Sequence, residues 1–342
     1  MYFQELNGDE RREVVNTRQR YAAYREAEQR ANSYRGSMVW KEIRGHEYLV
    51  RSQYAKSGVR RQTSLGSRSK ETETLKLEYE RGRAEALDRL QNLRSVIARQ
   101  AALNRALGLG RVPVIGAKII RALDHAGLLG SGIRVLGTNA IYAYEAAAGV
   151  RIDPGLTTTE DIDLLLDTRR GLTFAADEDV SPPSVLHLLE KIDRSFQRSP
   201  EKFRAANKDG YLVDLIKPLR NPPWQKGKER AQASAEDLLA AEIEGLTWHE
   251  SAPSFEAVVI DERGEPLRMV TTDPRVWAAH KLWLSKRPDR DPIKRRADEA
   301  QARAVGGLVA QYLPQLPYLS EQLRMLPKAV FEEAVPLFRR ND

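Results

Sequence analysis

The sequence predicts an α+β fold, and three observations predict it. Short apolar runs with polar ends, TEDIDLLLD and GYLVDLIKP, read as strands and are separated by segments of helical spacing. VLGTNAIYAYE passes from an apolar strand through a glycine into a helix. Long Arg-, Glu- and Ala-rich stretches with helical periodicity stand near both ends of the chain.

Composition bounds what this fold can do. A chain of 342 residues allows about two domains, and 41% hydrophobic residues suffice for a sizeable core. No run of about 18 apolar residues occurs, so no membrane span is expected. The N-terminal MYFQELNGDERREVV lacks a charged-then-apolar export pattern, so a cytoplasmic location is expected. There are no cysteines, which excludes disulfides, thiolate metal sites and cysteine nucleophiles. The five histidines (His46, His125, His187, His249, His280) form no HExxH or paired spacing. A metal site would therefore be built from carboxylates, which points to Mg²⁺ or Mn²⁺.

Residues 1–110 read as an accessory module. Asp9 to about Ser33 is helical. SMVWKEIRGHEYLVRSQYAKSGVRRQTSLGSRS alternates apolar with polar residues, and Gly45, Gly58 and Gly66 punctuate it, so two or three short antiparallel strands are expected. Ser69 or Thr72 caps a long helix from Lys70 to about Leu107, with Leu75, Tyr79, Leu87, Leu90, Leu93 and Ile97 on its apolar side. Arg35 to Lys70 holds nine Lys or Arg and two acids, 9 − 2 = +7, as much as the net charge of the whole chain. Such a patch points to a polyanion. Arg44, Arg51, Arg60 and Arg61, interleaved with Trp40, Tyr48 and Tyr54, suit phosphate contacts and stacking on RNA or DNA. They equally suit a solvated amphipathic hairpin with Trp40 and Tyr48 in its core.

Residues 111–272 hold the strands. PVIGAKIIRALDHAGL is a helix, broken by Gly130 and Gly132. The strand–glycine–helix unit and TEDIDLLLD follow. SPPSVLHLLEKIDRSF is a helix capped by Ser181 or Ser184, and FRAANKDGYLVDLIKP is a hairpin turning at Lys208-Asp209-Gly210. Further strands lie near Phe255–Ile260 and Leu267–Val270. Residues 273–342 read as helical. Trp277 and Trp283 lie close to one helix face and read as core.

The chemistry begins with Asp161 and Asp163. Two apart on a strand, they point to one face, ~6–7 Å apart along it. Carboxylates that close repel, and a hard divalent cation would relieve them. Asp214 is the one acid inside the apolar strand GYLVDLIKP, where a lone charge is costly unless paired or on metal. Gly137 allows a tight turn and close approach of a ligand. Thr138 and Asn139 then start a helix whose free N–H groups favour phosphate.

Gly137-Thr138, then Asp161-Ile162-Asp163, then Asp214, resembles the nucleotidyltransferase fold of the DNA polymerase β superfamily. GTNAIYAYEAAAGV…TEDIDLLLD looks like a bacterial family of nucleotidyltransferase-like proteins of mostly unassigned substrate. The resemblance covers about residues 113 to 305. It implies a small mixed sheet with flanking helices and a helical C-terminal domain. It also implies two Mg²⁺ ions (or Mn²⁺) on Asp161 and Asp163, with Asp214 on the catalytic metal or acting as base. The Gly137-Thr138 turn would hold the triphosphate of an NTP such as ATP, and pyrophosphate would leave. Thr138 stands where the family usually has serine, and Asn139 is bulkier than the small residue often found there.

In the helical third, Lys281, Arg290 and Lys294 can reach triphosphate oxygens. Asp291, Lys294 or Arg295, and Asp298 fall on one helix face, which equally describes a salt-bridged surface helix. Three functions follow from these residues: an active Mg²⁺-dependent nucleotidyltransferase, a non-catalytic nucleic-acid-binding protein that kept the fold, or a nucleotide second-messenger synthase. A kinase or P-loop NTPase is not expected, since no GxxxxGK[ST] occurs.

Overall fold

The computed structural model describes residues 2–54, 60–169, 184–220 and 237–339. Lys56, Gly58 and Ser181, and the side chain of Tyr54, lie outside these residues. After a short strand β1 (Phe3–Glu5), Asn7 opens α1 (Gly8–Ser33). Its side chain accepts the Glu10 amide at 2.9 Å, and the Glu10 carboxylate accepts the Asn7 amide at 2.8 Å. This reciprocal cap satisfies two helix-end donors. Three antiparallel strands follow in the order β2 (Ser37–Ile43), β3 (His46–Tyr54) and β4 (Arg60–Ser67). Arg44 and Gly45 make the β2–β3 turn with φ of 53° and 78°, the mirror-image turn that matches strand twist.

Both Ser69 and Thr72 cap α2 (Lys70–Ala106), each accepting from the other's amide. The two long helices form a hairpin on small residues: Ala27, Ala31 and Ala86 with Leu90. Gly82 makes the close approach possible, because a Cβ there would stand 2.3 Å from the Tyr34 hydroxyl. Near the far end of α2 the Thr17 hydroxyl and the Gln100 amide both donate to Asn104 Oδ1 at 3.0 Å. Asn104 in turn donates to the Gly264 carbonyl at 2.8 Å. The cost of burying these groups is offset because each is partnered.

The central region runs α3 (Val114–His125), β5 (Ile133–Leu136), α4 (Ile141–Ala148), β6 (Val150–Ile152), α5 (Pro154–Thr157), β7 (Asp161–Leu166) and α6 (Val185–Ile192). It continues with β8 (Gln197–Arg198), β9 (Arg204–Ala206), β10 (Leu212–Pro218), β11 (Ala241–Ile243), α7 (Leu246–Ser251), β12 (Ser254–Ile260) and β13 (Pro266–Thr272). The main sheet has the order β5-β7-β10-β9-β8, with β11 also on β10. β7 and β10 are parallel, whereas β5–β7 and β10–β9 are antiparallel, so the sheet is mixed. Ile162, Leu164 and Leu165 are fully buried in β7, as expected for a strand paired on both sides. Ser184 caps α6 by accepting the His187 amide at 3.1 Å. β12 and β13 form a hairpin, and β1 pairs with β6.

The chain ends in α8 (Pro274–Ser285), α9 (Pro292–Tyr312) and α10 (Lys328–Ala334). Val276, Ala279, Leu282 and Ala302 form an apolar cluster between them. Trp277 is 1% exposed and belongs to the main core, edge-on to Tyr144 at 5.9 Å. The chain is thus α+β: a small mixed sheet with flanking helices, a helical C-terminal region, and an N-terminal helical hairpin carrying a three-stranded sheet.

Candidate active site

Gly137 leaves β5 with φ 60° and ψ −152°, a conformation open essentially to glycine alone. The turn passes so close to β7 that a Cβ on Gly137 would stand 1.9 Å from Asp163 Oδ2. Two side chains fasten it. Trp277 Nε1 donates to the Gly137 carbonyl at 3.1 Å, and Gln301 Nε2 donates to the Thr138 hydroxyl at 3.2 Å. Asn139 is buried, and its amide donates to the Asp161 carbonyl at 2.7 Å. It ties the turn to β7. Residues 138–140 form a single 3₁₀ turn before α4.

Register brings the acids together. Asp163 lies opposite Leu136 on one side and Asp214 on the other, while Asp161 lies opposite Leu212. Alternation then puts Asp161, Asp163 and Asp214 on one face of the sheet. Burial pushes the Asp163 carboxyl up to about 6, and the charges of Asp161 and Asp214 add to the rise while Lys281 and Arg290 oppose it. A carboxyl that resists ionisation among other carboxylates is a fit place for a hard cation, which would relieve all of them. Asp161 also accepts from the Thr159 hydroxyl.

Asp214 is differently placed. It is 8% exposed, and Arg204, its register partner on β9, donates to both of its oxygens at 2.7 Å. Among the described residues no three acidic or histidine side chains converge as a ready cation cage. Neither Asp161 nor Asp163 is paired with a described arginine or lysine, so both offer oxygen ligands to a hard cation. Asp214 fits one only when Arg204 lets go.

The cations of the C-terminal region divide. Lys281 donates to Asp298 Oδ1 at 2.7 Å and Arg290 to Asp298 Oδ2 at 2.9 Å. Asp298 is 2% exposed and holds both in place. Lys294 is exposed, its backbone amide donates to the capping carboxylate of Asp291, and no described residue pairs with its ammonium. Asp291 therefore serves the start of α9.

In the N-terminal sheet Arg51 is spent internally. Its guanidinium donates to the Ser33 and Arg35 carbonyls at 3.3 and 3.1 Å and to the Tyr79 hydroxyl, and lies 4.3 Å over the Tyr79 ring. Arg60 donates to the Ser52 hydroxyl at 3.2 Å. Arg44 and Arg61 are exposed, and Trp40 is half-buried under Arg68.

Sequence reasoning did not single out Arg204, Gln301 or Tyr211, and read Trp277 only as core. Gln301 lies 163 residues from the threonine it contacts, and no local pattern announces that contact. A signal for Arg204 does exist in hindsight: an arginine facing the lone strand acid across a tight hairpin is the cross-strand partner such an acid needs.

A model of the nucleotidyltransferase family matches residues 115–324. The match spans the glycine turn, all three acids, the helices that bear Lys281 and Gln301, and Arg290 between those helices. No curated protein matches the chain, and no solved structure does. With more than half of its length under one family model, and the acids just described inside the match, the chain belongs to the nucleotidyltransferase family.

Proposed function

We propose that the chain moves a nucleoside monophosphate from an NTP to an acceptor hydroxyl, with release of pyrophosphate. The observation that carries this reading is the setting of Asp163 between the glycine turn and Asp214 on one face of the sheet. Asp161 and Asp163 would hold Mg²⁺ or Mn²⁺, Asp214 joining them once Arg204 withdraws. Ions so held neutralise triphosphate charge and ease ionisation of a hydroxyl. The Gly137-Thr138 turn presents backbone to the phosphates, and Lys281 and Arg290 add positive charge beside Asp163. The acceptor oxygen bonds to the α-phosphorus as the bond to the β-phosphate bridge breaks, and the hydroxyl proton passes to a carboxylate of the cluster and then to water.

The test uses α-³²P-labelled NTPs, Mg²⁺ or Mn²⁺ and total cellular RNA, with RNA, protein and free nucleotides resolved separately. Label on RNA, on protein or on a small molecule that Asp163→Asn loses is the expected result. Equal labelling by Asp163→Asn, or no NTP binding to the wild type by calorimetry, would overturn the reading. A labelled nucleotide product attached to nothing else would make the protein a second-messenger synthase.

One observation favours a second reading. The Arg204 clamp on Asp214, together with the exposed Arg44 and Arg61, suits a non-catalytic protein that binds RNA or DNA through its N-terminal sheet. Retention of labelled RNA without transfer would support it.

A further inference from the structure

We infer that Tyr211 and Asn139 are positioning residues for the nucleotide: a triphosphate seated on the Gly137-Thr138 turn brings the Tyr211 hydroxyl onto Asn139 Oδ1, a hydrogen bond that the free protein lacks. That the ligand is a triphosphate rests on the transfer reading above; the pairing rests on buried groups left without partners. Among the described residues, seven buried side-chain polar atoms have no hydrogen-bond partner. Three of them, Asn139 Oδ1, Gln301 Oε1 and the Tyr211 hydroxyl, stand around this one turn.

All three residues are more than nine-tenths buried: Asn139 is 1%, Gln301 6% and Tyr211 8% exposed. Each amide faces one way only. Asn139 Nδ2 donates to the Asp161 carbonyl at 2.7 Å, and Gln301 Nε2 donates to the Leu156 carbonyl at 2.8 Å. A carbonyl accepts only from the nitrogen end, so the spare atom of each amide is an oxygen. Buried oxygens without a donor are costly, and in folded proteins most find one.

Tyr211 stands beside Asn139 as a donor. A Cβ on Gly116, in α3, would lie 3.2 Å from the Tyr211 hydroxyl and 3.6 Å from Asn139 Oδ1, so both atoms pack on the same residue. Burial, and then the charge of Asp161, raise the Tyr211 pKa, so the hydroxyl keeps its proton and can donate. A donor and an acceptor thus meet one glycine without bonding to each other. A small shift of the turn joins them.

The turn is able to shift and to pass the shift on. Residues 138–140 make a single 3₁₀ turn, whose backbone bonds are poorer than those of an α-helix. The Ala140 amide reaches the Gly137 carbonyl only at 3.3 Å. The Thr138 hydroxyl accepts from Gln301, which leaves its own proton to donate to a phosphate oxygen. Asn139 follows Thr138 and holds the Asp161 carbonyl, while Tyr211 precedes Leu212, the residue opposite Asp161. Joining Tyr211 to Asn139 therefore fixes the turn and Asp161 to one another. The carboxylate that would hold Mg²⁺ is then set against the phosphates it must neutralise.

The test uses the full chain with Mg²⁺ and the four α,β-methylene NTPs, the tightest binder by calorimetry being carried forward. Tyr211→Phe removes the hydroxyl and nothing else. Without nucleotide it should melt at or above the wild-type temperature, since the hydroxyl it loses is unpaired. It should bind the analogue about tenfold more weakly. In an Asn139→Ala background, checked for folding by circular dichroism, the same substitution should change affinity less than about twofold. If that background fails to fold, the two measurements on Tyr211→Phe decide. A lower melting temperature for Tyr211→Phe without nucleotide would show its hydroxyl already paired and overturn the inference. Undiminished affinity, or a tenfold loss that persists in the Asn139→Ala background, would overturn it too. Labelling of an acceptor alongside any of those results would leave the transferase reading standing and sink only the pairing. The expected pattern without label on any acceptor would leave the pairing standing as part of a nucleotide-binding site and sink the transferase reading. A wild type that binds none of the four analogues would sink both.

Discussion

Oδ2 of Asp163 lies so close over Gly137 that a Cβ there would be 1.9 Å from it. The turn and the carboxylate are thus one structural unit. Gly137→Ala should cost about 1–3 kcal/mol for the backbone conformation alone, and more for displacing Asp163. Nucleotide transfer should fall at least a hundredfold. Urea denaturation and the labelling assay check the two effects separately.

Asp163 should make stability depend on pH. Its folded pKa, about 6, lies above the ordinary carboxyl value of 3.8. Between those values the folded state holds the extra proton, so stability falls as pH rises from about 4 to 6 and stays low above 6. Asp163→Asn should remove this slope and stabilise the metal-free protein near pH 7 by about 1–2 kcal/mol. Melting temperatures from pH 4 to 8, without and with Mg²⁺, check it. A slope that survives the substitution would refute the assignment.

Arg204 competes with any cation for Asp214. Arg204→Gln should free the third carboxylate and tighten Mn²⁺ binding several-fold by calorimetry. It should lower stability by about 1–3 kcal/mol, the cost of leaving the buried Asp214 carboxylate without its partner. Weaker Mn²⁺ binding would mean that Arg204 positions Asp214 rather than blocking it.

Asp298 holds Lys281 and Arg290 from a site 2% exposed. Asp298→Ala should destabilise by about 3–5 kcal/mol, because it strands a largely buried ammonium. Asp298→Asn should cost less and should weaken NTP binding by displacing both cations. Calorimetry with a non-hydrolysable NTP, set beside thermal melts, separates the two.

Arg51→Ala should lower stability by about 1–2 kcal/mol through lost hydrogen bonds and ring contact. Arg44→Ala should leave stability unchanged and reduce RNA retention, if the N-terminal sheet holds RNA. Chemical denaturation and filter binding at two salt concentrations check both.

What was legible in the sequence was local. Ser69 or Thr72, Ser181 or Ser184, and the glycine after Leu136 are signals that act within a few residues; Ser69 and Thr72 cap together, and Ser184 caps α6. The two aspartates of DIDLLLD were legible because strand alternation is local too. Periodicity says which residues share a face, but not what covers that face. Lys294 and Arg51 show this: one faces solvent, and the other is covered by Tyr79 of α2. The Arg204–Asp214 clamp depended on the register across the Asn207–Tyr211 turn, which a hairpin assignment alone does not fix. The pairing of β1 with β6 joins residues about 150 apart, and a three-residue strand carries too little pattern to announce it.

The length of α2 has its own consequence. Its 37 residues, at about 1.5 Å each, make a rod roughly 55 Å long. Arg51 and Tyr34 fix the three-stranded sheet to the first turns of that rod, and Asn104 fixes its last turns to the hairpin of β12 and β13. A single partner that touched both the basic sheet and the β12–β13 hairpin would have to run most of the length of that rod.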